Sequence, residues 1–245
     1  MTNKQYANMI RQGHFIYWDM LGRLRGLENH KESDLQWLTG NINYNYFTGT
    51  SDAMAVIERM RNNEIPKNLV LLADSMEENP AEPFLATGLF KEGSGCTGMA
   101  HELLDTILPE PDKRINLFRV HETSQLKAAG AILNTVFEYR FFSFDHFAEM
   151  MENDGQFFYL AEYDGIPAGA CMSQHGDNFV AISWAGTLPG YRKLGIAGHL
   201  IQLAERDGIT HGKTAGVLEG RPDAVGSYRR IGYREYCRSI DLELV

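Results

Sequence analysis

A short segment, residues 187–200, has the residue types of an anion-binding turn. An apolar, β-branched run at 179–186 precedes it and predicts a strand, and an amphipathic run at 198–206 follows and predicts a helix. Gly195 and Ala197 stand where this helix begins, so a ligand can approach the main chain closely. The first N–H groups of a helix lack partners within it, and the helix dipole adds partial positive charge there. The turn therefore suits a pyrophosphate.

The spacing Arg192-x-x-Gly195-x-Ala197 resembles the acetyl-coenzyme A motif of the GNAT acyltransferase superfamily, Arg/Gln-x-x-Gly-x-Gly/Ala. Pro189 and Thr187 fit the family's frequent Val-x-Pro-x-x-Arg approach, with Thr187 at the Val position. Taken alone, such a strand-to-helix turn is also consistent with a tight connection that binds no ligand. A dinucleotide-binding fingerprint fits less well, because it needs Gly-x-Gly-x-x-Gly early in a βαβ unit and an acidic residue about 20 positions later.

A second motif supports the same resemblance. Residues 224–233, Ala-Val-Gly-Ser-Tyr-Arg-Arg-Ile-Gly-Tyr, resemble the family's Ala-x-x-Leu-Tyr-x-x-x-Gly-Phe segment. The separation of the two motifs also fits, so the resemblance covers about residues 114–245. It implies a GNAT-like, mixed and mostly antiparallel sheet flanked by helices, with splayed central strands.

The resemblance also implies where acetyl-CoA binds. Main-chain N–H groups of residues 194–198 would cradle the pyrophosphate, and the strand before the turn would pair with the pantetheine arm like an added strand. Gly186 fits a place where another backbone comes close. The expected coenzyme-binding residues are Ala185, Gly186, Thr187, Arg192, Lys193, Leu194, Gly195, Ile196, Ala197 and Gly198.

Acyl transfer from a thioester to an amine requires that the leaving thiolate be stabilised. Tyr228 matches the family tyrosine, and the resemblance makes it the candidate general acid; a packed aromatic on the helix is the alternative. A free tyrosine has a pKa of about 10 and a thiol about 8.5, so full proton transfer is uphill by roughly 2 kcal/mol. Hydrogen bonding to the thiolate, or a pKa lowered by Arg229 or Arg230, would ease the transfer.

The amine must also lose a proton, and here the chain departs from the family pattern. Many members carry a Glu on the fourth strand, but residues 179–187 contain no carboxylate. Glu219, just after the fifth strand, is the candidate base, with Glu162, His175 and a water relayed by Ser183 as alternatives. Where the family often has Asn, seven residues before the tyrosine, this chain has Arg221.

The amino-acid composition limits which classes of binding partner and which kinds of site we expect. The net charge of −9 disfavours nucleic acid, whose phosphates need a basic surface, and is compatible with amine-bearing substrates. The three cysteines are widely spaced without a Cys-x-x-Cys pair, so we expect neither a metal site nor a disulfide framework. The N-terminus lacks the apolar core of a signal peptide, and no stretch approaches the ~20 apolar residues of a membrane span. We therefore expect a cytoplasmic protein.

Periodicity predicts the elements that carry these motifs. Residues 3–27 predict one or two helices interrupted near Gly13, and the chain from about 37 to 48 predicts extended structure. From residue 115 onward the order of predicted elements is βααβββαβαβ, which is also the family's order. The aromatic residues Tyr139, Phe141, Phe142 and Phe144 could wall an acceptor pocket or belong to the core.

The proline-containing, charged stretch 108–113 predicts a linker, which divides the chain into residues 1–110 and 114–245. The first part resembles a degenerate GNAT half of a tandem protein, because residues 88–100 look like a closing Gly-Phe…Gly-Met-Ala segment and no coenzyme motif is present. An unrelated α/β cap is the alternative. The second part is the expected acetyl-CoA-binding catalytic domain.

The functional prediction is an N-acetyltransferase that moves an acetyl group from acetyl-CoA directly to a primary amine of a small molecule or peptide. A non-catalytic acyl-CoA-binding regulatory or scaffold protein is the alternative. The sequence names neither the acceptor, the general base, the acyl preference nor the oligomeric state.

Overall fold

The computed structural model describes residues 1–32, 35–47, 52–103, 109–138, 142–153 and 155–245. The described residues of the first half form α1 (Asn3–Leu21), β1 (Leu27–Lys31), β2 (Leu35–Gly40), β3 (Tyr44–Phe47), α2 (Ala53–Arg61), β4 (Asn68–Leu72), α3 (Glu82–Leu85), β5 (Phe90–Glu92) and β6 (Cys96–Glu102). Those of the second half form β7 (Ile115–Arg119), α4 (Thr123–Phe137), α5 (Phe144–Glu152), β8 (Gln156–Tyr163), β9 (Ile166–His175), β10 (Phe179–Thr187), α6 (Ile196–Thr210), β11 (Ala215–Gly220), α7 (Val225–Arg230) and β12 (Arg234–Leu244).

The strands of the described residues form one sheet in the order β1-β2-β3-β4-β12-β6-β11-β10-β9-β8-β7, with β5 paired to β12. Among the described strands, only the pairs β3–β4 and β10–β11 are parallel. The predicted mixed, mostly antiparallel sheet flanked by helices is confirmed. Asp164 and Gly165 join β8 to β9 with positive φ at both positions, as a two-residue hairpin of type I′ requires.

The first helix differs from its prediction. α1 is one uninterrupted helix of 19 residues, closed at its start by a capping box between Thr2 and Gln5. Gly13 does not break it; a Cβ at Gly13 would lie 3.0 Å from the Ala181 Cβ on β10. The glycine therefore lets α1 lie close against the sheet, which local periodicity does not show. The sequence also failed to predict β1 and β5, because one is largely polar and the other has only three residues.

The last strands of the two halves are interleaved. β6 lies between β11 and β12, and β12 in turn lies between β6 and the pair β4 and β5. Residues 109–113 lack regular secondary structure and are largely exposed. The division into 1–110 and 114–245 stays a prediction, and the sheet runs without a break across it.

The helices cover opposite faces of the sheet. α1, α4 and α5 share one apolar core, in which Trp18, Leu133 and Phe147 pack with Trp184 of β10. α6 packs on the other face through a second core, centred on residues of β8, β9 and β10. A ligand that contacts both helix layers must therefore pass through an opening in the sheet.

Candidate active site

The opening lies between β10 and β11. Their paired residues run from Phe179 with Ala215 to Ile182 with Leu218, whereas the strands continue to Thr187 and Gly220. A β-bulge at Ser183, in the pairing of β10 with β9, marks the point where the strands diverge. Bulges bend a strand and often lie beside active sites.

Beyond the bulge, β10 keeps its partner on one edge only. Ala185, Gly186 and Thr187 pair with Cys171, Ala170 and Gly169 of β9. Their other edge faces the gap toward β11. The splayed central strands expected from the sequence are therefore present, and the three predicted pantetheine-binding residues border the gap.

The packing of α4 gives a structural reason for the glycine at position 186. A Cβ at this position would lie 2.8 Å from Cγ1 of Val136, on α4. The close approach of α4 requires the absence of a side chain here. The sequence could not show this, because α4 and β10 are distant along the chain.

The predicted anion-binding turn follows β10. A 3₁₀ turn at Pro189–Tyr191 leads into Lys193 and Gly195, whose φ angles are 69° and 77°. Gly195 is the N-cap of α6 and gives its first turn no side-chain hydrogen bond. The leading N–H groups of α6 are thus left for an anion.

Arg192 steadies this turn from its exposed position. Its Nε donates to the carbonyl oxygen of Thr187 at 3.4 Å, which ties the turn back to the end of β10. Arg192, Lys193, Leu194 and Gly195 are all exposed. Two cationic side chains therefore stand beside the uncapped helix end, where they favour a negatively charged ligand.

A glycine on β9 sets the position of this helix end. A Cβ at Gly169 would lie 2.5 Å from Cγ2 of Ile196, the first residue of α6, and 3.3 Å from Cδ1 of Leu200. Both side chains are buried, with exposed fractions of 1% or less. The first turn of α6 thus lies against the backbone of β9, and the absence of a side chain at Gly169 makes that approach possible.

A cavity of about 410 Å³ opens on the gap between the strands. It brings together side chains from α4, β10, the turn, the end of β11 and α7. The residues that line it are Val136, Phe137, Glu138, Ile182, Ser183, Ala185, Arg192, Glu219, Arg221, Asp223, Ala224 and Tyr228. Tyr228, Glu219 and Arg192 converge there from three separate elements.

Tyr228 packs on the backbone of β11. A Cβ at Gly220 would lie 3.0 Å from Cδ2 of the tyrosine ring. Burial, and then the neighbouring Cys171 and Cys96 thiols and Asp223, raise the pKa of Tyr228 to about 12. The hydroxyl therefore stays protonated at neutral pH and can donate a hydrogen bond.

The two arginines beside Tyr228 do not lower its pKa. Arg229 Nε donates to Glu235 at 2.6 Å, and Arg230 donates to the Ser227 hydroxyl at 2.9 Å. Both guanidinium groups are engaged at the surface. The suggestion that they acidify the tyrosine was therefore wrong, since neighbouring positions on a short helix need not share a face.

The side chain of Glu219 lies on the face of the sheet that α1 covers. Its carboxylate forms a short hydrogen bond and ion pair with Nδ1 of His14, and 22% of its side chain is exposed. Burial raises the pKa of Glu219, but the charge of His14 and hydrogen bonds from His14 and Ser239 outweigh it, so the net shift is downward. The carboxylate is therefore ionised at neutral pH.

Sequence reasoning missed His14. It lies 205 residues from Glu219 along the chain and belongs to no motif. The only local signal is a histidine next to Gly13 on a helix that carries an apolar face. No pattern in the sequence indicates that this helix crosses the sheet at the end of β11.

A second cavity, of about 290 Å³, lies between α1 and this face of the sheet. His14, Tyr17, Trp184 and Val217 are among its lining residues. It shares with the first cavity the residues Phe137, Ile182, Ser183, Glu219 and Arg221. The two cavities therefore meet at the gap between β10 and β11.

Two of the other candidates for proton removal lie away from the gap, and one borders it. Glu162 is on β8, paired with Asn116 and Pro167, and lines neither cavity. His175, at the end of β9, packs against Phe157 and also lines neither. Ser183 lines both and donates to Gln174 Oε1 at 3.0 Å.

The described members of the predicted aromatic cluster belong to the hydrophobic core. Phe142 is 5% exposed, and its ring centroid lies 5.2 Å from that of Trp184. Phe144 packs against the same core from its edge. Tyr139 and Phe141 lie outside the described residues.

Within the described ranges, no group of three or more His, Cys, Asp or Glu side chains is placed to hold a metal ion. In the same ranges, no helix combines the length and the apolar character that crossing a membrane requires.

Comparison with known proteins agrees with this arrangement. The model of the acetyltransferase (GNAT) family matches residues 121–233. No curated protein matches the chain significantly. Among solved structures, the chain is similar to a GCN5-related N-acetyltransferase from Kribbella flavida, with a TM-score of 0.67, 19% identity and 95% of each chain covered.

Two further structures share the fold. A GCN5-related N-acetyltransferase from Sphaerobacter thermophilus has a TM-score of 0.64 at 16% identity, over 85% of this chain and 79% of that one. A tandem GNAT protein from the clavulanic acid biosynthesis pathway has a TM-score of 0.61 at 11% identity, over 85% and 77%. At sequence identities this low, the similarity shows only that the fold is shared. The family match identifies residues 121–233 as a GNAT acetyltransferase domain.

Proposed function

We propose that this protein is an N-acetyltransferase that moves an acetyl group from acetyl-CoA directly to a primary amine. The observation that carries the proposal is the pair of cavities that meet at the gap between β10 and β11. An uncapped helix end and Arg192 stand at one side of this path, and a carboxylate–histidine pair stands at the other. Coenzyme and amine can therefore approach the gap from opposite faces of the sheet.

The turn and the open strand edge are the proposed coenzyme site. The leading N–H groups of α6, with Arg192 and Lys193 beside them, fit the charge of a pyrophosphate. The main chain of Ala185, Gly186 and Thr187 has an edge free to pair with an extended amide-containing arm. These features support the coenzyme-binding residues expected from the sequence, from 185 to 187 and from 192 to 198.

Tyr228 is proposed to stabilise the leaving sulfur by donating a hydrogen bond. With the tyrosine pKa near 12, full transfer of its proton to a thiolate of pKa about 8.5 would be uphill by roughly 5 kcal/mol. A hydrogen bond to an ionised acceptor avoids that cost and is worth about 1.5–3 kcal/mol. The hydroxyl therefore acts as a donor that remains protonated.

Glu219 is proposed to supply the carboxylate that takes part in removing a proton from the amine. It is the carboxylate that the fourth strand lacks, supplied from the end of β11 instead. Its position at the junction of both cavities supports this role. A site without a carboxylate would favour a protein that binds acyl-CoA without turnover, and the position of Glu219 weakens that alternative.

Calorimetric titration of acetyl-CoA into the wild type and into Ala197→Glu tests the coenzyme site. Ala197 lies in the first turn of α6, so a carboxylate there should repel the pyrophosphate and abolish micromolar binding. Ala197→Gln has nearly the same bulk without the charge and should lose less affinity. No binding to folded wild type would refute the proposal. Binding without amine-dependent thiol release across a broad amine panel would establish the non-catalytic alternative.

A further inference from the structure

The cavity between α1 and the sheet carries a proton-accepting group that the sequence motifs do not contain. His14 projects from α1 into the lining of this cavity, and its side chain is only 10% exposed. Its ring stacks on Tyr46 with centroids 4.0 Å apart and lies near Trp18. These contacts fix the plane of the imidazole.

The hydrogen bonds of His14 determine which nitrogen is free. Nδ1 is bound to the ionised carboxylate of Glu219, which requires a proton on that nitrogen. Among the residues that the structure describes, the buried Nε2 has no hydrogen-bond partner. In the neutral tautomer that keeps its proton on Nδ1, Nε2 carries the lone pair.

We propose that His14, supplied by the first helix of the chain, is the general base for the acceptor amine, and that Glu219 is its positioning residue. This inference rests on the proposed acetyltransferase function. It assigns the cavity of about 290 Å³ to the acceptor and makes α1 part of the catalytic site. The N-terminal half then completes the active centre instead of merely covering it.

The lining of this cavity also indicates the class of amine. Its walls are mainly apolar and aromatic, from Ile10, Tyr17, Ala181, Trp184, Val217 and Leu218. Its carboxylate, Glu219, is already paired with His14, and Arg221 adds a positive charge at the junction. A polycation would find no free carboxylate in this lining. The structure therefore favours a primary amine on an apolar body, such as an arylalkylamine.

The proton balance of the step is simple. The ammonium form of the substrate gives one proton to Nε2 of His14, and the neutral amine nitrogen then forms a bond to the acetyl carbon. As the carbon–sulfur bond breaks, the second proton leaves the now positive nitrogen and ends on the departing sulfur, which accepts a hydrogen bond from Tyr228. The proton on His14 returns to solvent, so one proton is released per acetyl group transferred.

The test uses 2-phenylethylamine as acceptor and spermidine as the polycationic comparison. We expect wild-type kcat/KM to be at least tenfold higher for 2-phenylethylamine. His14→Gln should lower kcat by about 10²–10⁴-fold, the usual contribution of a general base. Acetyl-CoA affinity, measured separately by calorimetry, should be unchanged, because His14 does not line the coenzyme cavity.

The pH profile separates His14 from its neighbours. The titratable or charged groups around it are Glu219 on β11, Asp241 on β12, Tyr46 on β3, Cys96 on β6, Arg221 after β11, and Arg11 and Tyr17 on α1 itself. Burial raises the pKa of Tyr46 well above its ordinary value of 10, and burial raises the pKa of Cys96 to about 12, so both stay neutral near pH 7. We expect the acidic limb of kcat/KM to vanish in His14→Gln and to persist in Asp241→Asn.

Further variants distinguish catalysis from folding. Imidazole in solution should partly restore the rate of His14→Ala, which a structural role would not predict. Glu219→Gln should lower kcat more than it raises KM and should shift the acidic limb. His121→Gln, an exposed histidine that lines neither cavity, is the matched control.

Three results would overturn the inference while leaving acetyl transfer intact. One is a His14→Gln enzyme with wild-type kcat and an unchanged acidic limb. Another is loss of that limb in Glu219→Gln alone, which would make the carboxylate the base. The third is spermidine turnover equal to or faster than that of 2-phenylethylamine, which would refute the acceptor class. Failure of acetyl-CoA to bind would instead refute the proposed function itself.

Discussion

Gly169→Ala tests whether the contact between β9 and the first turn of α6 shapes the coenzyme site. The added methyl carbon would lie 2.5 Å from Cγ2 of Ile196 and 3.1 Å from the carbonyl oxygen of Gly186. Carbon atoms prefer separations of about 3.5–4.0 Å. The start of α6 must therefore move by about 1 Å, and such overpacking costs about 1–3 kcal/mol of unfolding free energy.

The same displacement should weaken coenzyme binding. Moving an N–H donor by about 1 Å lengthens a hydrogen bond beyond its useful range of about 2.7–3.2 Å. A hydrogen bond to a charged group is worth about 1.5–3 kcal/mol. Since about 1.4 kcal/mol is a tenfold change, the Kd of acetyl-CoA should rise by about 10–100-fold. Calorimetry gives the Kd, and urea unfolding gives the stability.

Gly190→Ala is the matched control. Gly190 lies in the 3₁₀ turn before the motif, and a Cβ there would meet nothing within 4 Å. It should keep wild-type stability and affinity. Adding Ile196→Ala to Gly169→Ala removes the clashing methyl, so the double variant should be less impaired than the two single effects summed. Wild-type affinity and stability in Gly169→Ala would refute the idea that this contact sets the helix end.

Three other changes should have separable effects. Tyr228→Phe should lower kcat at least tenfold without changing the Kd of acetyl-CoA, and an unchanged kcat would remove the tyrosine from the mechanism. Tyr233→Phe deletes a buried hydroxyl that donates to Glu205 at 2.6 Å and should cost about 1–3 kcal/mol in urea unfolding, with Tyr163→Phe as control. Burial and the positive charges of His211 and Lys213 lower the pKa of His175 from 6.5 to about 4, so the folded state binds its proton less tightly than the unfolded chain. Stability should therefore fall as pH drops from about 6.5 to about 4, less steeply in His175→Gln, and equal slopes would contradict this.

The local elements and the coenzyme motif were readable from the sequence because they depend on neighbouring residues. Arg192, Gly195 and Ala197 mark a strand-to-helix turn, and the structure has the uncapped start of α6 at that place. The order of elements after residue 115 also follows from periodicity, since each strand or helix shows its buried face in its own residues. The roles of individual residues in the site remain predictions.

The predicted interruption of the first helix near Gly13 was wrong because local sequence does not show contacts with distant segments. In an isolated helix a glycine lowers stability, so an interruption is the natural expectation. Here α1 continues because the glycine lets it approach Ala181 on β10. The stabilising contact involves Ala181, which is far from Gly13 along the chain, and the periodicity of α1 contains no information about it.

What the sequence by itself determined is therefore the sheet class, the GNAT domain at residues 121–233 and the strand-to-helix turn at the start of α6. Only the tertiary structure decided that β6 enters the sheet between β11 and β12, that burial raises the pKa of Tyr228, and that His14 meets Glu219. The physical reason is the same in each case. Strand order, burial and ion pairing are set by contacts between distant segments, and residues 205 positions apart leave no shared local pattern.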